Sequence, residues 1–376
     1  MVGNSRPMNG VRFYADGKDM SPALIYHTST SATWTAVLTG PAGSFVTFDW
    51  GDGSTPTTLE LSIGGKSFIH DYSGSGAGTK VIRLHGDLRN ISSLNANNRN
   101  IDIISSLNIL INLTTLYLNG NNISDISSLS GLTSLIYLNI NNNDISDISS
   151  LSGLTNLTSL YLHINNISDI SSLSGLTSLT TINTENNDIS DISPLSGLTS
   201  LTSLYLDNND ISDVSPLSGL TSLTSLYLYN NDISDISPLS GLTSLTSLYL
   251  YGNDISDISS LSGLTNLTSL YLHINNISDI SPLSGLTSLT SLRLYNNDID
   301  YPLTGISWFT AASGTFRFDS TVDSAAEVDR WLNDLAAANW SNCVIYLDGT
   351  NPARTSASDA AIATLLVNGC TVYVNE

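Results

Sequence analysis

Leucine and isoleucine return along the middle of this chain at intervals of three, two, five, three, three, three and three residues, and the series then begins again. In LTSLYLDNNDISDVSPLSGLTS, from Leu201 to Ser222, the apolar residues hold positions 1, 4, 6, 11, 14, 17 and 20. Neither a single helix nor a flat sheet has that spacing. The Leu-Tyr-Leu alternation predicts a short strand with two inward side chains, and the Gly, Asn, Asp and Ser around it predict turns. Full copies start at Ile91, Leu113, Leu135, Leu157, Leu179, Leu201, Leu223, Leu245 and Leu267, and a half copy runs from Leu289 to Asp300. Each copy is read as one coil of a solenoid.

The motif LxxLxLxxN, here Leu201, Leu204, Leu206 and Asn209, resembles the bacterial leucine-rich repeat of the internalin type. The resemblance covers residues 91 to 300. It implies an α/β-type leucine-rich repeat solenoid, mainly β with short 3-10 turns. One coil buries too little apolar surface to offset the entropy of ordering its backbone, so coils must stack and both ends need caps. Position 9 is Asn121, Asn143, Asn165, Asn187, Asn209, Asn231, Asn253, Asn275 and Asn297. An amide donates and accepts, so this ladder is given the structural role of satisfying turn backbone groups. The first copy carries Arg99 there, as an atypical end coil.

Four regions are expected: an arm (1–25), a β-sandwich cap (26–86), the solenoid (87–300) and a helix-backed C-terminal cap (301–376). TWTAVLT, SFVTFDW, TLELSI and KVIRLHG alternate like strands, with turn residues between them. Trp50-Gly51-Asp52-Gly53-Ser54, followed by His70-Asp71-Tyr72, resembles the polycystic-kidney-disease (PKD) domain, an Ig-like sandwich, although its first motif is shortened here to DWGDGS. Trp50 and Tyr72 are read as sandwich core, and Asp52 as a turn residue ahead of a metal ligand.

In the last region Ser324-Ala-Ala-Glu327 reads as a capping box, with Val328, Trp331, Leu332 and Leu335 on one helix face. A second helix from about Ser358 is expected to bury Ile362, Leu365 and Leu366 and to stop at Gly369. CVIYLDG and CTVYVNE repeat the Leu-Tyr-Leu idea and extend the sheet. In that register Cys343 and Cys370 are neighbours whose parallel side-chain directions disfavour a bond, so two buried free thiols are expected ahead of a disulfide.

Net charge is -21, and no Lys or Arg lies between Arg99 and Arg293. So acidic a surface repels phosphate, which argues against nucleic acid and anionic membranes as partners. The chain has no apolar run long enough to span a bilayer, so no membrane insertion is expected. The opening MVGNSRPMNG has no apolar leader core. An extracellular place is implied by the two resemblances, and the missing leader tilts the reading toward a virion-associated (bacteriophage) component.

Positions 3, 5, 7 and 8 should face outward on the concave sheet. Position 5 reads Tyr117, Asn139, Tyr161, Asn183, Tyr205, Tyr227, Tyr249, Tyr271 and Arg293, and position 7 reads Asn119, Asn141, His163, Glu185, Asp207, Tyr229, Tyr251, His273 and Tyr295. Tyr161, Tyr205, Tyr227, Tyr229, Tyr249, Tyr251, Tyr271, His163 and His273 are the candidate ligand contacts, for a protein or glycan on a cell surface. Stacked tyrosines could serve the sheet alone, but position 7 varies while the frame does not, which favours binding.

Asp210, Asp213, Asp232 and Asp235 could form an oxygen ladder for calcium. Capping of the turn that follows is the preferred account. No other cofactor is indicated. No esterase elbow, zinc helix, phosphate loop or CxxC pair is present. His163 and His273 lie five coils apart, about 24 Å by strand spacing, so they share no active site and no enzyme is expected. The alternative function is a building block of a phage particle or extracellular filament, in contact with neighbouring subunits.

Overall fold

The computed structural model describes residues 33–72, 78–299, 314–318, 325–337, 340–347 and 353–375, with the backbone of strands at 14–15, 18–19 and 23–28. Most of the expected arm and the capping box read at Ser324 lie outside the described residues. Two compact units are present, Met1–Asn187 and Asp188–Glu376.

The first unit opens with two sheets. One has the order Ile101–Ser105, Ala23–Thr28, Gly78–Gly86, Phe45–Asp49, Thr57–Glu60, all antiparallel. The strand Ala23–Thr28 straddles the expected boundary at residue 25, so the sandwich begins earlier than its sequence pattern suggests. In the other sheet Lys66–Asp71 pairs with Thr33–Thr39, which pairs antiparallel with Ser93–Asn95 of the first coil. Ser93–Asn95 then pairs in parallel with Thr115–Tyr117. The sandwich therefore closes the first coil's edge by hydrogen bonds, which removes an open template for mispairing.

Alternation in the sandwich strands turns Trp34, Phe48, Trp50 and Phe68 inward, all fully buried. Tyr72 is buried beside them and donates its hydroxyl to the Trp50 carbonyl at 2.8 Å. His70 stacks on Trp50 and holds Asp52 at 2.8 Å. Burial alone would raise the Asp52 pKa, but hydrogen bonds from Ser54 and His70 outweigh it and hold the carboxyl down at about 2. Gly51, at φ +72°, runs so close to Val81 that a Cβ would lie 2.4 Å from its carbonyl oxygen. Arg99 uses its place in the first coil to reach back, donating Nε to the Thr35 carbonyl at 2.6 Å.

Within each unit a coil consists of a three-residue strand, such as Ser203–Tyr205, and a 3-10 turn, such as Ser215–Leu217. The seven apolar positions point into one core, and Leu204, Leu206, Ile211, Leu217 and Leu220 have no exposed surface. Position 13 opens the turn: Asp213 Oδ1 accepts from the Ser215 N–H at 2.8 Å, as do Asp147, Asp235 and Asp257 from the serine two residues on.

The asparagine at position 9 ties each coil to the one before it. Asn231 Nδ2 donates to the Leu206 carbonyl of the preceding coil and to Leu228 of its own, each at 3.1 Å, while its Oδ1 accepts from the Ile211 N–H at 3.0 Å. A threonine ladder adds a second set of ties, from Thr224 to the Thr202 carbonyl and from Thr246 to Thr224, each at 3.0 Å.

Position 8 is left-handed in coil after coil, with φ of 53° at Asn142, 54° at Asn208 and 52° at Asn230. Asparagine and glycine tolerate that region, whereas Ile164 and Ile274, each at φ 56°, are β-branched. Both isoleucines are about half exposed, so burial does not offset the strain. Ile164→Asn is expected to raise stability by about 1 kcal/mol. Urea unfolding of the two chains side by side checks this, and equal or lower stability in the variant contradicts it.

In the second unit the strands Ser203–Tyr205, Ser225–Tyr227, Ser247–Tyr249, Ser269–Tyr271 and Ser291–Arg293 lie parallel and in register. Gly314–Arg317, Cys343–Leu347 and Thr371–Val374 continue the same parallel sheet. Two helices, α1 (Ala325–Ala337) and α2 (Asp359–Val367), pack on each other beside these last strands. Val328, Trp331, Leu332 and Leu335 form the buried stripe of α1. The expected face of α2 holds only at Leu365, which is buried together with Ala361 four residues before it, while Leu366 is 54% exposed and Ile362 is only partly covered. Four-residue spacing selects Leu365 with Ala361, and the next residue necessarily turns away.

Cys343 and Cys370 are disulfide-bonded, which corrects the expectation of free thiols. Parallel pairing sets their Cα atoms 4.4 Å apart, at the close edge of the range a disulfide spans, and both side chains point into the same buried layer. Shared direction does not prevent the bond at that separation.

Candidate binding face

Strand alternation puts positions 3 and 5 on the outer side of the sheet and position 4 in the core. In the second unit the outer side carries two columns of rings. In the position 5 column Tyr205 stacks on Tyr227 at 4.7 Å, Tyr227 meets Tyr249 edge-on at 4.4 Å, and Tyr249 stacks on Tyr271 at 4.2 Å. In the position 7 column Tyr229 stacks on Tyr251 at 4.3 Å, Tyr251 on His273 at 4.2 Å, and His273 on Tyr295 at 4.2 Å. Both columns end on guanidinium groups, Arg293 lying 4.2 Å over Tyr271 and Arg317 lying 4.8 Å over Tyr295.

These distances follow from the register. Parallel strands repeat every 4.8 Å or so, which brings rings at identical positions into contact, face to face in most pairs and edge-on between Tyr227 and Tyr249. The consequence is chemical. Tyr251 has both faces covered by its neighbours, and Tyr249 has one face covered by Tyr271 and meets Tyr227 with its other side. The solvent side of the wall therefore consists of ring edges and hydroxyls. Burial beside other phenols raises the pKa of Tyr227, Tyr249 and Tyr251 above that of free tyrosine, so these hydroxyls stay protonated and able to donate at neutral pH.

His273 is a layer of the stack, only 4% exposed between Tyr251 and Tyr295, and it supports the wall without reaching its surface. Burial, with Arg293 and Arg317 nearby, pushes its pKa down to about 4. Asp207, at the start of the position 7 column, is likewise buried. In the first unit Tyr117, Tyr137 and Tyr161 form a zigzag with ring centroids 4.9 and 5.4 Å apart, and His163 lies edge-on to Tyr161 at 6.5 Å. Tyr137, at position 3, faces the same way and joins this zigzag, although the aromatic pattern of positions 5 and 7 does not point to it. Arg317 and Tyr346 were also missed; they come from the C-terminal strands and join the columns only through register.

Asp213 and Asp235 spend an oxygen on turn N–H groups, and Asp210 and Asp232 stand exposed at position 10. Among the described residues no group of three or more His, Cys, Asp or Glu is placed to hold a metal ion. No described helix is long and apolar enough to cross a membrane.

The family profile for leucine rich repeats (two copies) matches in overlapping windows from 111–153 to 265–304. The chain belongs to the leucine-rich repeat family. Among solved structures, this leucine-rich repeat protein is similar to an internalin (InlF) from Listeria monocytogenes, with 32% identity over 77% of this chain and 88% of that one and a TM-score of 0.64. It shares its fold with a leucine-rich repeat protein of Leptospira interrogans, at 24% identity over 76% of this chain and 72% of that one, TM-score 0.65. The ectodomain of the receptor kinase GASSHO1/SCHENGEN3 of Arabidopsis thaliana shares it too, at 20% identity over 72% of this chain and 33% of that one, TM-score 0.53. No curated protein sequence matches the chain significantly.

Proposed function

We propose that this leucine-rich repeat protein is an extracellular recognition protein, not an enzyme, and that the tyrosine wall of its second unit grips a protein ligand. The observation that carries the reading is the covering of ring faces within the two columns. A sugar ring stacks on an open aromatic face, and this wall keeps few of its faces open. Rigid ring edges and phenol hydroxyls suit the mixed apolar and hydrogen-bonding surface of a protein, and they lose little side-chain entropy on binding. Similarity to an internalin supports an adhesive role. Tyr227, Tyr229, Tyr249 and Tyr251 are the central contacts, with Tyr205 and Tyr271 at their flanks and Tyr161 with His163 as a smaller patch on the first unit.

The N-terminal sandwich, with Trp50, Asp52, His70 and Tyr72 at its heart, is read as a PKD-like cap. A particle or filament subunit finds no support among the similar structures.

The labelled chain, applied to an array of extracellular protein domains beside an array of glycans, tests this reading. Bound protein domains should lose about ten-fold or more in affinity with Tyr227→Ala plus Tyr249→Ala, while circular dichroism stays native. Retained binding by that variant, or capture of glycans alone, overturns it.

A further inference from the structure

We infer that Thr371–Val374, the last strand of the second unit, is the docking edge for a second copy of this chain, joined antiparallel about a two-fold axis at Tyr373. The strand pairs on one side only, with Cys343–Leu347, and among the described residues no strand lies on its other side. The ladder shows what is left over. At each parallel step the N–H of a core-side residue reaches the next rung, from Leu272 to the Arg293 carbonyl, from Leu294 to that of Arg317 and from Phe318 to that of Tyr346. Val374 holds the same place in the last strand and has no next rung to donate to. The core beneath it is open as well: Ile345 and Leu347 are fully buried, whereas Val372 and Val374, beside them in register, are only partly covered. Tyr373 stacks one face on Tyr346 at 4.7 Å and is 44% exposed. The Cys343–Cys370 bond, at the residue before Thr371, ties this edge to the sheet and keeps it from fraying.

An open edge is a template for another strand, and proteins blunt such edges with charge. The outer strands of the first unit follow that rule, with Glu60 in Thr57–Glu60, Asp102 in Ile101–Ser105, and Lys66 and Asp71 in Lys66–Asp71. Thr371–Val374 carries neither charge nor proline. Register then selects the partner. By the ladder pattern Val372 and Val374 turn their N–H and C=O groups outward, so in an antiparallel pair they are the hydrogen-bonded positions. Pairing Val372 with Val374 of the second copy satisfies these groups in both chains and sets Tyr373 against its own counterpart at the closer, non-hydrogen-bonded position. Pairing Val372 with its own counterpart instead would call on the Cys370 N–H, which already donates to the Leu365 carbonyl at 2.9 Å. The first register keeps each face matched. Valine meets valine over the open core and phenol meets phenol outside it, cross-strand pairs that stabilise a sheet.

The dimer goes beyond the protein-binding reading of the tyrosine wall and does not depend on it. A pairing this short buries little area, so its strength is expected in the micromolar range. Sedimentation velocity of the full chain, from low to high micromolar concentration, should show monomer giving way to dimer and stopping there, because a two-fold contact closes on itself. Val374→Pro removes an outward N–H that has no partner among the described residues, and it should weaken the dimer about ten-fold or more with native circular dichroism. Tyr373→Lys, which opposes two like charges across the axis, should weaken it too. Ile69→Lys, on the outer strand Lys66–Asp71 of the first unit, should leave it unchanged. A chain that stays monomeric throughout, or a dimer that keeps its strength in both edge variants, overturns the inference. Loss of the dimer with Ile69→Lys, or growth past the dimer, points to head-to-tail joining of two different edges and overturns it as well.

Discussion

Asn231→Ala is expected to lower the stability of the second unit by about 3 kcal/mol, with a native-like fold at low denaturant. The Ile211 N–H is the reason. It is buried and donates to Asn231 Oδ1 at 3.0 Å, so truncation leaves it without an acceptor in a place water does not reach. The carbonyls on the other side of the amide suffer less, because each is shared: Leu228 O accepts from Asn231 and also from Asn253 of the next coil at 3.0 Å. Asn231→Asp separates the two halves of the amide. It keeps the acceptor for Ile211 but sets a carboxylate against the Leu206 and Leu228 carbonyls, so it should be at least as harmful at neutral pH and recover as the pH falls. Urea midpoints for the two variants provide the check. A loss below about 1 kcal/mol for Asn231→Ala would mean that the ladder is not what joins the coils.

The second large effect is a pH dependence centred on His273. Its folded pKa of about 4 lies below the ordinary histidine value of 6.5, chiefly through burial and then through Arg293 and Arg317. The unfolded chain therefore binds a proton between these two values that the folded chain refuses. Stability from this group is complete above pH 6.5 or so and is lost as the pH drops toward 4. From pH 7.5 to 5 the loss is about 2 kcal/mol. His273→Tyr continues the column of Tyr229, Tyr251 and Tyr295 and has nothing to protonate. The measurement is the difference in unfolding free energy between wild type and variant at the two pH values, which cancels the contribution of the many carboxylates. An equal slope in both chains would show that His273 is not the acid-sensitive layer.

The solenoid was fully legible because its signal is periodic: seven apolar positions per coil leave one arrangement that buries them all. The strand assignments and Val328, Trp331, Leu332 and Leu335 of α1 followed in the same way. What stayed hidden depends on spacing in three dimensions. The Cys343–Cys370 bond turns on a Cα separation of 4.4 Å, which no sequence pattern reports. The pairing of Ala23–Thr28 with Ile101–Ser105 joins segments far apart along the chain. Leu366 was misplaced because a short apolar run offers several faces and only packing chooses among them. At the proposed binding face the tyrosines could be listed from sequence, but not that they would cover one another, nor that Arg317 would arrive beside Arg293 from a strand outside the repeats.

From the coil that starts at Leu157 onward, the ties between coils use residues that recur unchanged, the asparagine of position 9 and the threonine of position 2. Insertion or loss of one whole unit of 22 residues in that stretch would thus keep the asparagine and threonine ties at each junction. The length of the solenoid's outer sheet face can change by one rung, about 4.8 Å, at little thermodynamic cost. Recombination between near-identical coding segments is then a ruler, able to set the span of the proposed binding face without redesigning the ties between these coils.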